Sequence, residues 1–81
     1  MDKKDQLAEF ISNAETSFYN GQLQEAFSLS LSAIKLDENC ADAYQYAANV
    51  CMSLSRYEDA IEYYQKVQIY IMLITQIEMN L

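Results

Sequence analysis

Slid 34 positions along itself, this chain falls into register with itself. Leu23, Glu25, Ala26, Phe27 and Ala33 then meet Tyr57, Asp59, Ala60, Ile61 and Val67, Phe10 meets Tyr44, Ala14 meets Ala48 and Gly21 meets Ser55. A period of that size, with two amphipathic segments in each unit, predicts stacked helical pairs, because a single unit cannot bury its apolar face alone. The clearest segment runs from Ser55 to Val67. Its apolar side chains, Tyr57, Ala60, Ile61, Tyr64 and Val67, follow the three-then-four spacing of one helix face. Ser55 and Glu58 have the spacing of a capping box, and Glu62 and Lys66 that of an i,i+4 ion pair.

Four helices are expected. The first spans about Lys3 to Tyr19, capped by Asp2, and ends at Asn20-Gly21, where glycine takes the left-handed conformation of a helix exit. Leu7, Phe10, Ala14 and Ser17 form its inner face. The second runs from about Gln22 to Leu36 and offers Leu23, Ala26, Phe27, Ser30, Ala33 and Ile34. Its serines, Ser28, Ser30 and Ser32, are expected to bond back to preceding carbonyls or face water. Asp37-Glu38-Asn39 supplies a turn. The third spans about Ala41 to Leu54 with Tyr44, Ala47, Ala48 and Cys51 inward, and the fourth follows Ser55. Short turns make each pair antiparallel.

At these positions the chain resembles the tetratricopeptide repeat (TPR) family. The pattern has an aromatic early in the first helix (Phe10, Tyr44), a small residue one turn later (Ala14, Ala48) and an alanine early in the second helix (Ala26, Ala60). A large residue follows in mid-helix (Tyr64, but Ser30 in the first unit), and a modest one near the end (Ala33, Val67). The run from Tyr57 to Lys66 is close to the family consensus, and Ala33 to Asn39 matches the exit from a first repeat. The resemblance covers roughly residues 7–68. It implies an all-α fold of two antiparallel helix-turn-helix repeats, 7–40 and 41–74, forming an α-solenoid fragment within a single domain, 1–81.

After Val67 the resemblance lapses. The exit Leu36-Asp-Glu-Asn39 is matched by Tyr70, Ile71, Met72 and Leu73, which contain no helix breaker. Read as helix, Ala60, Tyr63, Val67, Tyr70, Ile74, Ile77 and Leu81 make an unbroken heptad seam. Read as strand, Val67, Ile69, Ile71, Leu73, Ile77 and Met79 alternate with other residues, and β-branched side chains are plentiful. The helix is favoured because nothing stops the preceding one; the strand stays open for 69–81. A helical fourth segment of about 24 residues would be ~36 Å long, with an apolar extension, 68–81, beyond its antiparallel partner. A bare apolar helix end seeks another surface. Val67, Tyr70, Ile71, Ile74, Ile77 and Leu81 are therefore candidate self-association residues in a homo-oligomer.

Composition narrows the partners. A net charge of −7 without a basic stripe argues against a nucleic-acid backbone or an anionic membrane surface. The acidity serves solubility first and a preference for basic partners second. The apolar run after Val67 falls short of the ~20 residues of a membrane span and is broken by Gln76 and Glu78. Cys40 and Cys51 are too few for a disulfide framework or a zinc site, and the polar opening Met1-Asp-Lys-Lys-Asp is no signal peptide, so a reducing cytoplasmic compartment is expected.

There is no histidine, no glycine-rich phosphate loop and no base beside a serine or cysteine. No catalysis, metal or cofactor is expected. Asp37-Glu38 and Glu58-Asp59 read as solvated turn and helix-start acids. The resemblance implies a groove lined by the first helix of each pair, in which an extended peptide or a helix lies. Ala8, Ile11, Ser12, Glu15, Phe18 and Tyr19 would face it from the first unit, and Asp42, Gln45, Asn49, Met52 and Ser53 from the second. Phe18, Tyr19 and Met52 are its candidate anchors, and packing against the N-terminal extension or the next helix is the competing role for them. Members that bind chaperone C-terminal carboxylates use a lysine and asparagines; here Ile11 and Glu15 stand in two of those places and Asn49 alone remains, so that activity is not implied. The expected function is a protein-interaction module with a peptide or helix as ligand and self-association through the last helix. The alternative is a structural self-assembly module with no separate groove.

Overall fold

The computed structural model describes residues 2–79 and contains four helices and, among those residues, no strand. They are α1 (Lys3–Tyr19), α2 (Leu23–Leu36), α3 (Ala41–Ser53) and α4 (Tyr57–Met79). The strand alternative for 69–79 is thereby excluded; Leu81, the last of the expected seam, lies outside the described residues. α1 packs on α2, α2 on α3 and α3 on α4, while α1 also touches α3. Each helix folds back across a short turn onto its predecessor.

Local chemistry accounts for the starts and stops. Asp2 caps α1, its Oδ1 accepting from the Asp5 backbone N–H at 2.9 Å. After α1, the N–H of Gly21 donates to the Phe18 carbonyl and that of Gln22 to the Ser17 carbonyl, at 3.1 and 2.8 Å. After α3, Ser55 donates to Met52 and Arg56 to Cys51, at 3.1 and 2.8 Å. Both exits thus close with the bond pair of a Schellman motif, and both put the residue before the long bond in left-handed backbone, Gly21 at φ 78° and Ser55 at φ 60°. The capping box expected at Ser55–Glu58 does not form. Ser55 is spent on leaving α3, one residue too early to cap α4, and its hydroxyl accepts from Tyr57 Oη at 3.4 Å. The Glu62–Lys66 pair is also absent; the ion pair among the described residues joins Arg56 and Asp59 at 3.9 Å. Two long exposed side chains gain little by meeting in water.

The core is made of small residues. Ala14, Ala26, Ala33, Ala43, Ala47, Ala48 and Ala60 are fully buried, with Val50, Cys51, Ser17 and Ser30 beside them. Alanines at the crossing points bring helix backbones close, and the larger apolar groups ring the contacts half-buried. Ser30 satisfies its hydroxyl by donating to the Ala26 carbonyl at 2.8 Å. Tyr63 of α4 meets Phe27 of α2 edge-on and Tyr44 of α3, with ring centroids 6.2 and 6.4 Å apart. Tyr57 and Ile61, expected on the packed face of α4, are instead 56 % exposed. α4 is packed by α3, and no helix covers that flank.

Candidate functional site

Two surfaces were expected to carry function, and they differ in how they are built. The first lies along α1 and α3, which the fold brings into contact. Tyr19 and Met52 are exposed on it, Phe18 and Ile11 half-buried, and Glu15 exposed. Phe18 and Tyr19 stack edge-to-face at 5.4 Å. Gln45 and Asn49, expected to reach a ligand, are engaged within the protein. Asn49 Oδ1 accepts from Tyr64 Oη at 2.6 Å and from Gln45 Nε2 at 3.3 Å, which ties α3 to α4. Sequence reasoning missed Tyr46 on this surface. Burial, followed by the facing Glu15 carboxylate and then Tyr19, raises the pKa of its phenol. The signal was there: Tyr46 stands three residues before Asn49 on the same turn of helix.

The second surface is the far end of α4. Ile69, Tyr70, Ile71, Met72, Leu73, Ile74 and Ile77 are between 39 and 64 % exposed. Six of these are consecutive, so they clothe the helix on every side. Val67 is half-buried, and marks where the cover given by α3 runs out. At the foot of this overhang a cleft of about 310 Å³ opens between Ile69, Tyr70 and Leu73 on one side and Glu38, Asn39 and Ala41 on the other. Two bonds hold its far wall. Tyr44 Oη donates to the Glu38 carbonyl at 2.8 Å, and Asp37 Oδ1 accepts from the Asn39 N–H at 3.0 Å.

Cys51 is buried in α3 and Cys40 is half-buried at the start of that helix. Burial is the main force raising the pKa of each, joined at Cys40 by the nearby Asp42 and Asp37 carboxylates. Among the described residues no group of three or more Cys, Asp or Glu side chains is placed to share a metal ion, and no helix is long and apolar enough to cross a membrane. Compared with protein families, with curated proteins and with solved structures, the chain matches none.

Proposed function

We propose that this chain is a non-catalytic protein-interaction module of the tetratricopeptide kind, and that its principal contact is self-association through α4. The observation that carries this reading is the overhang, where seven large apolar side chains stand exposed on one helix end. A helix that is apolar all round belongs inside a protein contact. The repeat reading is supported by the paired exits at Gly21 and Ser55, and by the buried alanines Ala14 and Ala48, Ala26 and Ala60, which stand 34 residues apart. Replacing Ile74 and Ile77 with aspartate tests the contact. The wild-type chain should weigh a multiple of 9.4 kDa by light scattering, and the double variant a single chain with unchanged helicity. A wild-type mass of one chain up to ~100 μM, which sets association weaker than about −5.5 kcal/mol, overturns it.

A peptide or helix seated on α1 and α3 is the second reading, favoured by the exposure of Tyr19 and Met52. It assigns affinity to those two anchors and to Phe18, because Asn49 and Gln45 are already bonded. Selection of peptides from a random library against the α4 double variant isolates this surface from the other. Ligands lost on Tyr19→Ala and Met52→Ala support it, and ligands indifferent to both substitutions overturn it.

A further inference from the structure

Exposed area, charge and packing constrain the proposed α4 contact further. The chain exposes 5743 Å², whereas a compact monomer of its mass exposes about 5,000 Å². Its radius of gyration, 13.3 Å, likewise exceeds the about 12 Å of a compact chain of this length. The excess of about 700 Å² is close to the ~800 Å² that each partner contributes to a standard protein interface.

Charge selects the partner and its direction. All five basic and eleven of the twelve acidic side chains precede Val67. Each copy is thus an acidic body bearing a nearly neutral arm, and the arm offers a charged ligand nothing to pair with. Two copies repel everywhere except arm to arm. Laid parallel, their arms would bring the bodies side by side. Laid antiparallel with Ile74 near Ile77 of the other copy, they hold the two Tyr70 positions, where the bodies give way to the arms, about 16 Å apart along the helix, beyond the ~8 Å screening length at physiological salt.

Packing selects the register. Tyr63 is already covered by Phe27 and Tyr44, so the free part of the seam begins at Tyr70. Within it, Ile74 and Ile77 are the adjacent seam positions that an antiparallel two-fold places opposite each other.

Resting on the self-association reading, we infer that the partner is a second copy of this chain, paired antiparallel through α4 with Ile74 against Ile77 of the other copy. Cysteine cross-linking in a Cys40→Ser background tests it, the remaining Cys51 being buried. An oxidised mixture of Ile74→Cys and Ile77→Cys chains, tagged to differ in mass, should give the mixed disulfide. Tyr70→Cys should not couple to itself, because its two copies lie eleven residues apart along the contact, about 16 Å, against the ~7 Å limit between Cα atoms. Self-coupling of Tyr70→Cys would show a parallel pair and overturn the inference while leaving self-association standing, as would a dimer in which Ile74→Cys and Ile77→Cys give no mixed disulfide. A wild-type chain that weighs one copy at every concentration removes both.

Discussion

Gly21 and Ser55 do the same backbone work with different side chains, and that difference is measurable. A β-carbon at Gly21 would meet nothing within 4 Å, so its constraint is the positive φ alone. Gly21→Ala should therefore cost about 1 kcal/mol, while Ser55→Gly, which relieves the same strain, should raise stability by about 0.5–1 kcal/mol. Urea titration of both variants checks the opposed signs. Ala26 presents the reverse constraint, of space rather than conformation. It is fully buried in α2, which packs on α1 and α3, and Ala26→Leu should overpack that interior by about 1–3 kcal/mol, read as a lowered melting temperature. The thiols report on burial in another way. Because burial raises their pKa values above those of the unfolded chain, the folded state holds these protons more tightly. That contribution to stability is fully present below the ordinary thiol value of 9.0 and is lost as pH rises through the raised folded values. Stability should be level across neutral pH and fall in alkali. Alkylation at pH 8 should be slower at Cys51 than at a free thiol and slower than at half-buried Cys40, and mass spectrometry of the labelled peptides reads both rates.

At the scale of elements, the periodic apolar positions placed all four helices to within a residue or two, because spacing alone dictates which side of a helix can be buried. The straight run of α4 through Met79 was legible for a related reason: no residue between Val67 and Ile77 interrupts helical hydrogen bonding. Less could be read of the joints. Ser55 and Glu58 satisfy a capping pattern by spacing, but the backbone at Ser55 was already committed to the exit from α3, a tertiary decision that no local pattern records. Ala43 and Val50 are buried without having been singled out, and Tyr57 and Ile61 exposed despite it, since only the arrangement of neighbours decides which flank of an amphipathic helix is covered. The residues expected to line a groove include some that are not free to meet a ligand. Asn49 spends its side chain on Tyr64 and Gln45, and Tyr64→Phe should loosen α3 from α4 by about 1 kcal/mol, measurable by urea titration, leaving Asn49 bonded to Gln45 alone.

Seen whole, the molecule is a thin slab of 42 × 35 × 19 Å whose core is mostly alanine. Little apolar area is enclosed per residue, and seven large apolar groups crowd an arm that its own chain leaves exposed. Domains of this size are marginal by themselves, so a contact that covers the arm stabilises the fold as well as joining copies. Stability should accordingly rise with protein concentration, and the aspartate substitutions at Ile74 and Ile77 should abolish that dependence. The most direct measurement is amide hydrogen exchange over residues 70–79 as the protein is diluted. An unsupported helix end frays, whereas one held between two copies does not. The account predicts slow exchange in this segment at high concentration that is lost on dilution while α1 to α3 stay protected. Exchange through 70–79 that is fast at every concentration, or slow at every concentration in a chain of single mass, would contradict it.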